Sequence, residues 1–258
     1  MLTPYDINKY RDSNSNEEVN QEYINMVRNT LINNNLSTIN FDRNIKELRV
    51  SKSNDERVPG HYNKSRNKLV YKDKSSYIHE LFHVSSSDKD KDSSMGIRLK
   101  DGDKYLMIGL DEGITDYLTV LSGNKPSDYG LLRLCVELIV LTDGINVLDS
   151  YLENDGKKFR SLFPYRFMQV IMMLDNYYYS LEQLADYRGI LYSKEYFTIL
   201  DNIEKYLKNS LSLIEKYFTT DEFDCKIYIS DKINAGYLKK EFSILGIESI
   251  DELYPKEL

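Results

Sequence analysis

The sequence contains no tryptophan, only five prolines and only two cysteines, Cys135 and Cys225. Each cysteine stands alone among apolar neighbours, so we expect two buried thiols rather than a disulfide framework or a cysteine metal site. No segment approaches the roughly 20 uninterrupted apolar residues of a membrane-spanning helix, since three charged side chains interrupt the most apolar stretch, residues 131–148. The sequence therefore predicts a globular protein without a membrane span.

Clustered basic residues are also scarce. The 258-residue chain carries 34 Lys and Arg against 41 Asp and Glu, for a net charge of −7. Nucleic acid is not an expected partner, because a phosphate-binding surface needs clustered Lys and Arg. Residues 1–14 lack the basic start and the apolar run of a secretory signal, which predicts a cytoplasmic location. The pattern gives no indication of the oligomeric state.

Apolar periodicity divides the chain into a mixed N-terminal part and a helical C-terminal part. The helices and strands predicted in the first part are a helix over 17–33, strands at 48–50, 59–62 and 68–71, a helix over 75–85 that starts at a serine cap, a hairpin over 95–108 and a helix from 110. The helices predicted in the second part lie near 128–153, 160–175, 180–192, 194–218 and 235–254. We therefore expect an α+β fold, with a small mixed or antiparallel sheet in a lobe over 1–124 and an all-α lobe over 125–258.

Two of the three histidines lie four residues apart, in the segment His79-Glu80-Leu81-Phe82-His83. On the predicted helix, residues four apart share one face, with Cβ atoms roughly 5–6 Å apart. Two neutral imidazoles presented in this way can bind one Zn²⁺ ion, and Glu80 can act as general base on a water held nearby. The alternative is two surface histidines on an ordinary amphipathic helix, but few chance matches are expected in a chain with so few histidines.

A catalytic zinc site holds three protein ligands and leaves a fourth position for water. Glu112 is the best candidate for the third ligand, because Glu112 and Asp116 lie four apart on the next predicted helix and face the same way. One carboxylate can bind the metal while the other hydrogen-bonds a ligand imidazole. Taken alone, these acids would be an exposed acidic helix start. Together with the histidine pair, they predict a site for one zinc ion.

The two motifs, His-Glu-Leu-Phe-His at 79–83 and Asp-Glu-Gly-Ile-Thr-Asp at 111–116, resemble those of the gluzincins, the zinc peptidases typified by thermolysin and the M1-type aminopeptidases. The roles that the resemblance implies are zinc ligands at His79, His83 and Glu112, the general base at Glu80, and a contact with a ligand histidine at Asp116. It also implies a thermolysin-like catalytic core.

The resemblance extends upstream to the two strands that precede the histidine helix. In that family the edge strand pairs with extended peptide substrate, as in strand addition generally. By analogy, residues 58–62 would form one wall of the cleft, with His61 and Tyr62 as candidate substrate contacts. For His61 the ordinary alternative is a strand histidine without a catalytic role.

The resemblance covers about residues 58–120 and departs from the family pattern in two ways. The interval between His83 and Glu112 is longer than usual, which the predicted hairpin accounts for. No histidine follows His83, so the thermolysin-type histidine that stabilises the oxyanion is missing. A tyrosine hydroxyl or an arginine can supply such a donor, M1-type enzymes use a downstream tyrosine, and Tyr165 and Tyr105 are the candidates here.

These observations predict a zinc metallopeptidase that hydrolyses a peptide or protein substrate through an activated water. Two alternatives stay open. The first is a catalytically inactive zinc-binding scaffold that acts as an interaction or regulatory module, and the second is a zinc hydrolase of small amides. The motifs do not encode cleavage specificity, which depends on the shape of the cleft.

Overall fold

The computed structural model describes residues 17–53, 60–91, 95–102, 104–127, 129–186 and 193–253. The helices of these residues are α1 (Gln21–Asn33), α2 (Ile39–Asn44), α3 (Lys74–Ser85), α4 (Ile108–Leu121), α5 (Gly130–Asp143), α6 (Asp149–Leu152), α7 (Gly156–Ser161), α8 (Phe167–Asp186), α9 (Lys194–Phe218), α10 (Cys225–Asn234) and α11 (Lys239–Leu245). The strands are β1 (Arg49–Lys52), β2 (His61–Asn63), β3 (Lys68–Tyr71), β4 (Leu99–Asp101) and β5 (Lys104–Leu106). The predicted α+β class is confirmed.

A three-stranded sheet lies in the N-terminal part, with strand order β1-β3-β2. β1 runs parallel to β3, and β2 pairs antiparallel with β3 from His61 opposite Val70 to Asn63 opposite Lys68. The predicted hairpin of these two strands is therefore confirmed, although residues 58–59 lie outside the described part. Within the described residues, β2 is an edge strand.

The second predicted hairpin is also confirmed. β4 and β5 pair antiparallel, with Leu99 opposite Leu106. Gly102 in the turn has φ 59°, which glycine adopts at little cost. The short helix α2 was not predicted from the sequence, because its six residues are too few to show a helical period.

Helix α3 is buried along most of its length rather than on one face. Asp73 caps it by accepting from the backbone N–H of Ser76 at 2.9 Å, while the Ser76 hydroxyl accepts from the Asp73 N–H at 2.9 Å. The expected serine cap at the start of this helix was therefore wrong, because the Asp73 carboxylate reaches the first turn from further upstream. Every residue from Tyr77 to Ser85 is buried, so the helix delivers its polar side chains to the interior.

Helix α4 packs tightly between α5 and α8. A Cβ atom on Gly109 would lie 2.7 Å from a backbone oxygen of α8, and one on Gly113 would lie 2.6 Å from the backbone oxygen of Leu132. The helix starts where Asp175 of α8 accepts the N–H groups of Met107 at 2.8 Å and Gly109 at 2.9 Å. Because these helix-start donors have no partner within their own helix, Asp175 fixes the position of α4.

The C-terminal half is helical as predicted, but several helix ends differ. The helix predicted over 128–153 ends at Gly144, whose φ of 81° and ψ of 163° suit glycine rather than a helical residue. The helix over 194–218 is confirmed as α9. The helix predicted over 235–254 is shorter and corresponds to α11. It is preceded by α10, which was not predicted, and by a turn that contains Gly236, with φ 92°.

The helices predicted over 160–175 and 180–192 are one continuous helix, α8. Tyr177 and Tyr178 are buried and continue its apolar face across the expected break. Residues 187–192 lie outside the described part. No helix within the described ranges is long and apolar enough to cross a membrane.

Apolar side chains from both halves belong to one hydrophobic core, which extends from Ile24 to Leu253 in the sequence. The division into lobes over 1–124 and 125–258 stays a prediction. The packing of α4 against α3, α5 and α8 is what brings the polar residues of both halves together.

Candidate metal centre

Two histidines of α3 and one glutamate of α4 converge in the interior. His79, His83 and Glu112 are all buried, and each offers one ligand atom within 4.8 Å of the others. The Oε2 atom of Glu112 lies 3.3 Å from Nε2 of His79 and 3.4 Å from Nε2 of His83. The direct packing of α3 against α4 thus brings together two motifs that a hairpin separates in the sequence.

The distances from the Glu112 oxygen to the two imidazole nitrogens fit a bound cation. Ligand atoms about 2.0–2.2 Å from an ion in tetrahedral geometry lie about 3.3–3.6 Å from one another. Charge-assisted N–H···O bonds are shorter, at about 2.7–2.9 Å. Two imidazole nitrogens that share one carboxylate oxygen at 3.3 and 3.4 Å match the first distance rather than the second. The group can therefore hold a metal ion.

Arg98 orients the carboxylate of Glu112. Its Nη2 donates to Oε1 of Glu112 at 2.7 Å, and its Nε donates to Oδ2 of Asp111 at 2.7 Å. The other oxygen of Asp111 accepts the backbone N–H of Ile97 at 2.9 Å. Because Arg98 occupies Oε1, the remaining oxygen of Glu112 faces the histidines. Arg98 lies just before β4, in the interval that makes the spacing of the two motifs long.

Ser127 connects His79 to Asp116. Its Oγ lies 3.2 Å from Nδ1 of His79, and its O–H and N–H donate to Oδ1 of Asp116 at 2.5 and 2.6 Å. Because the Ser127 hydroxyl donates to the carboxylate, its oxygen accepts the Nδ1–H of the imidazole. That tautomer leaves Nε2 unprotonated for a metal ion. The predicted direct contact between Asp116 and a ligand histidine is therefore corrected to a contact through Ser127.

The other candidate ligand, His83, contacts residues of the motif on α4. Its Nδ1 lies 3.4 Å from Oγ1 of Thr115 and 4.0 Å from Oδ2 of Asp111. The Thr115 hydroxyl donates to the backbone oxygen of Asp111 at 2.9 Å and lies 2.7 Å from the hydroxyl of Tyr151. Fully buried groups thus surround this side of the imidazole.

Burial and neighbouring charges shift the pKa values of two residues of the site, His79 and Glu112. Burial lowers the pKa of His79, but the hydrogen bond with Glu112 and the surrounding carboxylates raise it above its usual value overall. Burial raises the pKa of Glu112, but His83, His79 and Arg98 together hold it well below its usual value. A cation that binds here must therefore compete with a proton for the imidazole nitrogen of His79.

Glu80 lies beside the three ligands and is buried. Burial raises the pKa of its carboxyl above the usual value, and the three histidines of the chain offset this only in part. Gly60 makes room for it, since a Cβ atom there would lie 3.1 Å from Oε1 of Glu80. A raised pKa suits a group that has to accept a proton and then return it.

The two candidate substrate contacts on β2 lie on opposite faces of the strand, as successive strand residues do. The charge of His61 acts on Glu80, which places His61 on the side of the site. Tyr62 is buried in the core, where its hydroxyl donates to Oδ1 of Asn67 at 2.8 Å. Tyr62 is therefore corrected from a substrate contact to a core residue.

The structure does not bring the two candidate tyrosines to the ligands. Tyr165 lies between α7 and α8 with 84% of its surface exposed, and Tyr105 is a half-buried residue of β5 whose carbonyl accepts the hydroxyl of Tyr179 at 3.1 Å. A different tyrosine, Tyr129, lies beside the candidate ligands, with its ring centroid 6.1 Å from that of His79. Burial raises the pKa of Tyr129 well above its usual value, and the charge of Glu112 raises it further.

Sequence reasoning missed Arg98, Ser127, Tyr129 and Arg133, which surround the predicted ligands. No motif marks them, and nothing in the pattern distinguishes Tyr129 from the other tyrosines, of which there are 22 in all. The available signal was that Ser127 and Tyr129 follow closely on the boundary predicted between the two parts, at residues 124–125. Residues at such a boundary lie close to the helices on both sides.

Comparisons with protein-family models, with curated proteins and with solved structures find no match to this chain. The interpretation of the site therefore depends on its own geometry and chemistry.

Proposed function

We propose that the chain is a zinc metallopeptidase with a thermolysin-like, gluzincin-type catalytic core. The observation that carries the proposal is one buried carboxylate oxygen, on Glu112, at 3.3 and 3.4 Å from the two imidazole nitrogens of the His-Glu-x-x-His helix. Two imidazoles with one carboxylate are a donor set of catalytic zinc sites, whereas calcium and magnesium prefer oxygen ligands alone. His79, His83 and Glu112 would hold the ion.

A zinc ion held by His79, His83 and Glu112 would supply a Lewis acid for the scissile carbonyl and would favour deprotonation of a water molecule. Glu80 takes the proton of that water while the water oxygen bonds to the carbonyl carbon. As the C–N bond breaks, the Glu80 carboxyl gives the proton to the leaving amine nitrogen. The raised pKa of Glu80 supports this role, because a buried carboxyl retains the proton long enough to transfer it.

Tyr129 is our proposal for the donor to the developing oxyanion. Its ring packs beside His79, and the charges of Glu112 and Glu80 both act on its hydroxyl. Because these charges and burial keep the hydroxyl protonated, it can donate a hydrogen bond to an oxygen that becomes negative. Tyr129 takes the place of Tyr165 and Tyr105 in this role.

The edge strand β2 supports a peptide as substrate. It starts beside Gly60, whose missing side chain leaves the space at Glu80 open. An extended peptide that pairs with this edge would place a backbone carbonyl in front of the site. His61, on the same side, would contact the peptide.

The test combines metal analysis with cleavage of a peptide library by the purified chain. We expect one zinc ion per chain, and we expect Glu80→Gln to keep the zinc while losing cleavage by about 100-fold or more, the usual contribution of a general base. Glu222→Gln, at an exposed position, is the matched control and should retain full activity. A zinc-free native protein, or full cleavage by Glu80→Gln, contradicts the proposal. Zinc binding without turnover would instead support the inactive scaffold, and turnover of small amides alone would support the amide hydrolase.

A further inference from the structure

We propose that Arg133 is a positioning residue through which α10 and the turn before α11 hold the ligand His79 in place. The inference rests on the proposed metal site, but it does not require the site to be a peptidase. It concerns a chain of contacts that runs from His79 through Ser127, Asp116 and Arg133 to Tyr237.

The first link is the buried carboxylate of Asp116. Its Oδ1 accepts both donors of Ser127, and its Oδ2 accepts Nη1 of Arg133 at 2.6 Å. Asp116 is fully buried, so without Arg133 its charge would be uncompensated. Arg133 therefore fixes the oxygen that faces Ser127, and Ser127 fixes the imidazole of His79.

The second link is the packing of Arg133 on the side away from the metal site. Its guanidinium carbon lies 4.3 Å from the ring centroid of Tyr237. Its Nε lies 3.8 Å from Oε1 of Glu137 and has no hydrogen-bond partner among the residues that the structure describes. The orientation of the guanidinium thus depends on stacking and on charge from this side rather than on a second hydrogen bond.

The third link joins Glu137 to α10 and the turn that follows it. The two oxygens of Glu137 accept the Tyr237 hydroxyl at 2.5 Å, Nζ of Lys232 at 2.7 Å and the Tyr228 hydroxyl at 3.2 Å. The turn also packs directly against the start of α5, since a Cβ atom on Gly130 would lie 1.8 Å from the backbone oxygen of Tyr237. A shift of this turn must therefore move Glu137, Arg133 or both.

The consequence is that the metal site depends on a segment more than 100 positions beyond Asp116 in the sequence. Loss of the Tyr237 ring frees the guanidinium of Arg133 to rotate, and the Asp116–Ser127 pair then loses its fixed orientation. The imidazole of His79 would hold a metal ion less well, although no ligand has changed.

The experiment compares Tyr237→Leu with Tyr217→Leu. Tyr217 on α9 is the matched control, because its ring also lies under an arginine, at 5.1 Å from Cζ of Arg166. Arg166 lies just before α8, and neither residue belongs to this chain of contacts. The readouts are the zinc Kd, measured by competition with a chromophoric chelator, the visible absorption spectrum of the cobalt-substituted protein, and the midpoint of urea unfolding.

We expect Tyr237→Leu to weaken zinc binding by about 10-fold, at the lower end of the effects of residues that support metal ligands, and to change the cobalt spectrum. Tyr237→Phe keeps the stacked ring and should restore the zinc Kd to within about 2-fold and restore the spectrum. Tyr217→Leu should lower the unfolding midpoint while leaving both metal readouts unchanged. Glu137→Gln removes the charge beside Arg133 and replaces one of the two acceptor oxygens with an N–H₂ group. It provides a second test if Tyr237→Leu fails to fold, and it should shift the cobalt spectrum in the same direction.

A Kd and spectrum of Tyr237→Leu equal to those of the wild-type chain would overturn the inference and leave the proposed function intact. Equal weakening of zinc binding by Tyr217→Leu would also overturn it, because the effect would then reflect general destabilisation. Zinc binding without peptide cleavage would contradict the proposed function alone.

Discussion

His79 and His83 lie one turn apart on the same helix, yet their surroundings differ. The outer nitrogen of His83 faces Thr115 and Asp111, both of which belong to the motif that also supplies Glu112. The outer nitrogen of His79 faces Ser127, which depends on contacts with α5 and the C-terminal helices. One ligand is thus supported within two neighbouring helices, and the other through distant parts of the chain. Substitutions on the two sides should therefore have separable effects.

The largest effect is expected from Arg98→Met, on the side of His83. The variant removes the guanidinium group that pairs with both Asp111 and Glu112, and the two buried carboxylates lose that ion pair. The free energy of unfolding should fall by about 3–5 kcal/mol, as when one partner of a buried ion pair is deleted, and zinc affinity should fall about 10- to 100-fold. Urea unfolding and chelator competition measure the two quantities. The control variant, Arg160→Met, is at an exposed position and should change neither the free energy of unfolding nor the zinc affinity. An unchanged zinc Kd in Arg98→Met would show that Glu112 needs no orienting partner.

The next effect concerns Tyr129, on the side of His79. Tyr129→Phe should lower kcat by about 100-fold, because removal of one oxyanion donor costs about that much, while zinc content and fold stay unchanged. Tyr165→Phe is the control and should have wild-type kcat, since this side chain is exposed. Steady-state kinetics on one cleaved peptide distinguishes the two. A lower kcat in Tyr165→Phe but not in Tyr129→Phe would restore the original sequence-based candidate.

A direct test of the comparison pairs Ser127→Ala with Thr115→Val. Ser127 contacts Nδ1 of His79 at 3.2 Å, and Thr115 contacts Nδ1 of His83 at 3.4 Å with Asp111 also nearby. We expect zinc affinity to fall about 10-fold in Ser127→Ala and by only a few-fold in Thr115→Val, within the range known for such supporting residues. Competition titrations at one pH suffice. The opposite order would mean that zinc affinity depends more on the contacts of His83 within α3 and α4 than on the contacts of His79 that lead to α5 and the C-terminal helices.

The remaining prediction concerns stability rather than zinc binding, through a pH dependence at Asp175, which fixes the start of the helix that bears Glu112. Burial raises the pKa of Asp175 from 3.8 to about 7, although backbone N–H donors oppose the shift. Between these values the folded state binds more protons than the unfolded state, so its stability falls as the pH rises from about 4 to about 7, by at most about 1.4 kcal/mol per pH unit.

Asp175→Asn removes this titration. Because an amide has only one acceptor oxygen, one of the N–H groups of Met107 and Gly109 loses its partner, and the variant should be less stable at pH 5 by about 1–3 kcal/mol. The difference in the free energy of unfolding between Asp175→Asn and the wild-type chain should become smaller towards pH 8. Urea unfolding of the zinc-free proteins measures this difference, and the two proteins differ at no other position. A difference that stays constant from pH 5 to pH 8 would contradict this account.

The sequence predicted the local features of the molecule well. The helix of His79 and His83, the two hairpins and α9 all follow from short-range patterns, and the structure contains them. Failures occurred where packing overrides local pattern. Tyr177 and Tyr178 continue α8 through an expected break because their burial against the core stabilises the helix there.

The sequence by itself determined which side chains can reach one metal ion, because the helical repeat places residues four apart on the same face. It could not determine which groups support those side chains. Arg98, Ser127, Tyr129 and Arg133 belong to separate segments that meet around α3 and α4. Helix α4 approaches α8 and α5 closely because Gly109 and Gly113 have no side chains. Such contacts depend on the close approach of distant backbones, and no spacing along the chain encodes that approach.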